Sequence, residues 1–142
     1  MAQRGQLASF FIQNGDLPAR NAGLTDIPAN TFVLVDTANP PTDDNVIAIV
    51  IPTGGGGVVG TWGITRTLIK AGTTGSVCCL GGEVVKADGV ITVGDYVQAS
   101  DTVGKEGRAK TKGAGVECGG RALNSAADGE DVLVFVNCTP VA

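Results

Sequence analysis

Residues 90–100 read V-I-T-V-G-D-Y-V-Q-A-S, and their pattern occurs twice in the chain. Residues 27–36, I-P-A-N-T-F-V-L-V-D, carry it 64 positions earlier: Ile27 answers Ile91, Ala29 answers Val93, Asn30 answers Gly94, Phe32 answers Tyr96 and Val33 answers Val97. Each copy reads as a bend that launches an apolar strand. Gly94 can take a positive φ without steric cost, and Asn is the residue type next most able to do so. Past the bend, Phe32, Leu34 and Tyr96 fall on one side of their strands, and Val33, Val35 and Val97 on the other.

A second echo extends the repeat. Residues 120–136, G-R-A-L-N-S-A-A-D-G-E-D-V-L-V-F-V, have the plan of residues 66–80, R-T-L-I-K-A-G-T-T-G-S-V-C-C-L, with Gly75 answering Gly129 at an offset of 54. Two units, about 27–82 and 91–137, thus share a bend and strand at the start and a turn, a glycine and a strand at the finish. Between these landmarks, strands are expected at 46–51, within 58–69, and at 76–80, 83–86, 107–111, 116–122 and 131–137. The intervening turns are rich in Gly, Pro, Asn and Asp. Ala87-Asp88-Gly89 reads as a turn, with Asp-Gly its strong signal. In V-L-V-F-V from Val132, every position is apolar, which calls for burial on both faces or for one face covered by a partner. The best helical stretch, residues 123–128, would be ended by Gly129 within two turns. The expectation is an all-β, Gly-rich, barrel-like domain.

Residues 1–23 show no sustained period. Gly5, Gly15 and Gly23, with Asn14, Asp16 and Pro18, interrupt every candidate element, yet Phe10, Phe11 and Ile12 are more apolar than a disordered tail needs. The chain therefore divides into an N-terminal arm, residues 1–24, and a single β domain, residues 25–142, that holds both units. A run of 142 residues suffices for one domain with a core of its own. With four Phe, one Tyr and one Trp, that core must be built from Val, Ile, Leu and Ala. Trp62 is the natural anchor of a core or an interface.

Fourteen acidic against ten basic residues give a net charge of -4, which argues against a general nucleic-acid binder. Lys105, Arg108, Lys110 and Lys112 form one local basic run, read as a solvated hairpin whose charges guard a sheet edge. No stretch approaches the length of a membrane helix. Residues 7–12 are too short, and broken by Ser9, for the core of a signal peptide. Cys78, Cys79, Cys118 and Cys138 read as reduced small hydrophobes rather than a disulfide framework, and Cys78 and Cys79, adjacent on a strand, would face opposite ways.

The vocabulary of catalysis is thin. The chain has no His, no C-x-x-C and no G-x-S-x-G. Gly55, Gly57 and Gly60 give a formal G-x-G-x-x-G, but a β-branched stretch follows where the dinucleotide fingerprint requires a helix, and no G-K-[ST] is present. Asp36 and Asp95 lie at the two strand units, while Asp43 and Asp44, and Asp128, Glu130 and Asp131, lie in turn contexts where Asp serves local hydrogen bonds. Asn137-Cys138-Thr139 fits the glycosylation pattern only formally. No catalytic, cofactor-binding or metal-ligating residue is expected, no small-molecule substrate, no membrane partner and no enzyme activity.

I-T-V-G-D-Y-V at 91–97, D-T-V-G-K-E-G-R-A-K at 101–110 and the closing G-R-A-L-N-S-A-A-D-G-E-D-V-L-V-F-V resemble the small capsid cement or decoration proteins of tailed bacteriophages, a group often labelled recombinase-like. The likeness covers about 60–137 and, more loosely, 27–36, where Asn30 replaces a glycine. It implies a small β barrel-like protein on the outer surface of the virion capsid, made in the host cytoplasm and self-associated, as a trimer. Its partner would be the major capsid protein, whose contacts it would fasten, often with an N-terminal arm. A fibre or baseplate adhesion module that recognises a host-surface ligand is the alternative of a different class.

Overall fold

A computed structural model describes residues 15–41 and 46–137. Ten strands and no helix make up these residues. The first five are β1 (Asp16–Asn21), β2 (Phe32–Val35), β3 (Ile47–Val50), β4 (Thr61–Thr65) and β5 (Thr74–Cys78), and they close into a barrel in the order β1-β3-β2-β4-β5. The other five are β6 (Leu80–Lys86), β7 (Tyr96–Ala99), β8 (Ala109–Thr111), β9 (Gly120–Ala122) and β10 (Asp131–Asn137), in the order β6-β10-β9-β7-β8.

The second sheet is the first barrel built again. Around the ring its order is the same once β6 to β10 are set against β1 to β5. The parallel pairing of Asn21 with Ile49, which joins β1 to β3, returns as the parallel bridge of Ala87 with Ala109 that brings the two ends of the second sheet together. Registers agree strand by strand. Phe32 opposes Ile64 as Tyr96 opposes Arg121, and Ile64 opposes Cys78 as Arg121 opposes Phe135. Ile27 bridges Ile69 as Ile91 bridges Ala126. The inner cluster of the first barrel is Ala19, Ile27, Val33, Ile49, Ile69 and Val77; the corresponding residues of the second are Val85, Ile91, Val97, Ala109, Ala126 and Val134, all buried.

The 64-residue echo thus corresponds to real structural equivalence, down to the positive φ of Asn30 (56°) and of Gly94 (92°) at the bend. The second echo is corrected. Gly129 (φ 81°) answers Gly72 (φ 76°), 57 positions earlier, and not Gly75. Gly75 instead matches Val132, and it is a glycine because the Ile69 side chain fills the space its Cβ would need, with Cγ1 at 2.5 Å. In the second barrel the small residue is Ala126 and the large one Val132. The volume is kept and its two owners exchange, which is why the repeat is faint in sequence.

The unit boundaries also move. Each unit starts one strand earlier than expected, at β1 and at β6, so that the barrels span 16–78 and 80–137. Asp16–Asn21 lies within the stretch read as an arm; it is a barrel strand, paired to β5 and β3. Pro18 hides it from a sequence reading, because proline removes a ladder donor. Here the strand tolerates it, since pairing to β3 begins only at Ala19. Residues 1–14, with Phe10, Phe11 and Ile12, lie outside the described residues, as do Asp43, Asp44 and Cys138. Ala87-Asp88-Gly89 is a bend that ends β6, as expected of a turn; because β6 pairs with β10, it leads into a crossover to β7 and does not return the chain alongside β6. The stretch 123–128 is bend and turn around the Ala126 bridge.

Candidate interaction surface

Period-two alternation sends Phe32, Ile64 and Cys78 out of the first barrel in one row across β2, β4 and β5. All three are fully buried, because the second barrel sits on them, and with Leu34 and Val58 they join its core in one continuous cluster. A Cβ on Gly119 would stand 2.6 Å from Cε1 of Phe32, so that position must be glycine for the ring to seat. Phe32 N–H donates to the Gly107 carbonyl at 2.7 Å, and Thr61 N–H to Glu117 Oε2 at 2.7 Å. At the other edge Arg66 holds Asp16 at 3.0 Å and Glu83 at 2.7 Å, joining the start of β1 to β6.

The same row on the second barrel is Tyr96, Arg121 and Phe135, across β7, β9 and β10. Nothing covers it. Tyr96 is 48% and Phe135 43% exposed, and Leu133, next on the same side of β10, is 40% exposed. The Arg121 guanidinium lies over the Tyr96 ring, 4.4 Å from its centroid, and donates to the Tyr96 hydroxyl. V-L-V-F-V therefore resolves one way: Val132, Val134 and Val136 are buried inside, while Leu133 and Phe135 face out.

The polar residues singled out in the sequence are spread rather than gathered. Asp36 accepts from Ala38 N–H (3.0 Å) and Asn39 Nδ2 (2.8 Å), and Asp95 accepts from Thr92 N–H (3.0 Å); both are turn carboxylates. Asp131 pairs with Lys86 at 2.7 Å, and Glu130 accepts from Ala127 N–H. The basic run divides, with Lys105 bound to Asp128 at 2.8 Å and to Asp88 at 3.3 Å, while Lys110 and Thr111 lie exposed on β8. Gly55 and Gly57 donate their N–H groups to the backbone and side chain of Asp101, at 2.7 and 2.9 Å, so the glycine run straps the first barrel to a loop of the second. Cys78 and Cys79 do face opposite ways, and burial pushes the Cys79 thiol up to about 12. Trp62 is half-buried against the first barrel's cluster.

One buried group escaped the sequence reading. Asp88 accepts from Ser100 Oγ at 2.6 Å and Thr102 Oγ1 at 2.7 Å beside Lys105 Nζ. Burial opposes its ionisation, and the hydrogen bonds from Ser100, Thr102 and Lys105 outweigh that, holding the carboxyl below its ordinary value. Its sequence signal, Asp before Gly, is that of any turn. Between the barrels a groove of about 630 Å³ is bounded by Asn30, Thr31, Glu83, Lys86, Arg108 and Asp131, with Lys86 and Asp131, neighbours on β6 and β10, paired at its wall.

A scan against protein-family models finds no match for this chain, and neither does a search of curated proteins. Among solved structures, the chain is similar to the N base of head fiber gp8.5 of bacteriophage phi29, with a TM-score of 0.59 and 19% identity. The likeness covers 89% of this chain and 97% of that one, so it takes in both barrels. At this identity it is a likeness of fold.

Proposed function

We propose that the chain is a structural protein of a tailed-phage virion which binds the outside of the capsid and fastens its major capsid proteins. The observation that carries this reading is the fold shared, over nearly the full length of both chains, with a protein named as part of a phage head. The resemblance of residues 60–137 to capsid cement proteins supports it independently, and self-association as a trimer belongs to the same reading. A cement gains from multivalency, since modest contacts multiply over a shell, and net negative charge keeps it soluble before assembly. The apolar side chains of Phe10, Phe11 and Ile12 are suited to adding affinity against a capsid edge.

The test is co-sedimentation with expanded shells of the phage whose genome carries the gene. Full-length protein is expected to pellet with shells and to raise the temperature at which they disrupt. A form lacking residues 1–14 is expected to occupy fewer sites at equal concentration while melting at the same temperature. Absence of shell binding by the full chain would overturn the reading.

The second reading, a fibre or baseplate module that recognises a host-surface ligand, draws on the word fiber in the neighbour's name. Copy number in purified virions separates the two, because a cement is present in hundreds of copies and a tip module in a handful.

A further inference from the structure

We propose that the open face of the second barrel, formed by Tyr96, Arg121, Leu133 and Phe135, seats the first barrel of another copy of this chain, so that copies join head to tail. The inference comes from the internal duplication; it rests on the self-association named in the proposed function, supplies the surfaces for it, and does not depend on capsid binding. Within one chain the face is used once already: Phe32, Ile64 and Cys78 are wholly buried by a barrel of the same fold. Their counterparts Tyr96, Arg121 and Phe135 occupy the same strand positions in the same register, yet stand open. A surface that one barrel presents to the next inside the chain is thus presented again at the chain's far end.

Its composition suits an interface that forms between molecules. Phe32, Ile64 and Cys78 form an apolar core contact, whereas Tyr, Arg and Phe combine an apolar body with polar edges that tolerate water in the free protein. The Arg121 guanidinium, stacked on Tyr96, holds that ring in place before a partner arrives.

The receiving surface is on the same molecule. In the second barrel the surface that meets β2 and its approach includes Val84, whose carbonyl accepts from Asn30 Nδ2, with Gly107 and Gly119. The corresponding positions of the first barrel are Pro18, Ile47 and Trp62, which are exposed or half-buried. Trp62 stands where Gly119 does, so a ring-on-ring contact with Tyr96 would replace the ring-on-glycine contact of Phe32. Such an interface is heterologous, with different surfaces on its two sides, and it closes into a ring or runs on as a filament.

Sedimentation velocity on the full chain and on two surface variants, each first checked for an unchanged melting temperature, tests the proposal. Wild-type protein is expected to sediment as a multiple of its 14.2 kDa mass at high concentration. Phe135→Glu and, on the other side, Pro18→Glu are each expected to be monomeric, whereas Leu68→Glu, at an exposed site elsewhere, assembles as wild type. Mixing the two monomeric variants is expected to restore a one-to-one dimer and nothing larger, since each supplies one intact side. Arg121→Glu repeats the first arm should Phe135→Glu fail to fold. A monomeric wild type, assembly that survives both Phe135→Glu and Arg121→Glu, or a dimer lost in Phe135→Glu but kept in Pro18→Glu would overturn it, the last because it marks two-fold pairing of open faces. Assembly abolished only by removing residues 1–14 would assign the contact to the arm and would overturn it too.

Discussion

Two glycines show how tightly the repeat is constrained at single positions. A Cβ on Gly63 would run into the Cys78 carbonyl oxygen and stand 2.8 Å from Val77 Cγ1, and a Cβ on Gly120 would run into the Phe135 carbonyl oxygen and stand 2.8 Å from Val134 Cγ1. The nearest obstructing atom at each site is a backbone carbonyl oxygen, which cannot move aside as a flexible side chain does. Gly63→Ala should cost about 1–3 kcal/mol in urea unfolding, and Gly120→Ala more, because Gly120 also holds a φ of 154° that alanine disfavours. Asp88 is the other sensitive residue. Replacing it with Ala leaves Ser100 and Thr102 without their acceptor and removes charge-assisted bonds of roughly 1.5–3 kcal/mol each, less the cost of burying the charge. Its carboxyl lies below the unfolded value of about 3.9. The stability it contributes is therefore complete above that value and is lost as pH falls through the folded one. Melting temperatures followed from neutral pH into acid should fall less steeply below about pH 4 for Asp88→Asn than for wild type.

Among the strands, equivalent positions should respond differently according to what covers them. Phe32 is buried between the barrels, so Phe32→Ala opens a cavity and should cost about 3–5 kcal/mol. Tyr96→Ala, at the matching position of β7, should change the stability of the monomer by no more than about 0.5 kcal/mol, the usual range for surface sites. Equal losses in the two variants would mean that the face around Tyr96 is covered in the free chain. β1 separates in the same way: a form that starts at Gly15 keeps the strand, whereas removing residues 1–20 deletes most of it. The shorter deletion should leave the melting temperature in place, and the longer one should abolish folding of the first barrel.

Taken whole, the molecule holds two barrels in one cooperative body. The cluster around Phe32, Leu34, Ile64 and Cys78 runs directly into that of Val85, Val97, Val132 and Val134, so neither barrel can open without exposing the other's core. Calorimetry should give a single transition with equal calorimetric and van't Hoff enthalpies, and far-ultraviolet circular dichroism should show a β spectrum without helix. Two separable transitions would contradict the shared core.

The sequence alone determined the fold class, the 64-residue echo of bend and strand, and most of the strands, because these depend on local signals: alternation of Val and Ile, and the ability of Asn30 and Gly94 to take positive φ. It also marked V-L-V-F-V as a strand apolar on both sides, and left open whether both faces are buried within the chain or one is covered by a partner. Tertiary structure alone decided that both units have the same five-strand order, closed in the first and brought round by one bridge in the second, that Asp16–Asn21 opens the first, and that Gly129 matches Gly72. The reason is that barrel cores conserve volume jointly rather than residue by residue, so that Ile69 with Gly75 in one barrel does the work of Ala126 with Val132 in the other. Only the tertiary structure could likewise divide two rows of equivalent residues, Phe32-Ile64-Cys78 and Tyr96-Arg121-Phe135, into one that is buried and one that is open, since burial of an outward face depends on what the rest of the chain lays against it.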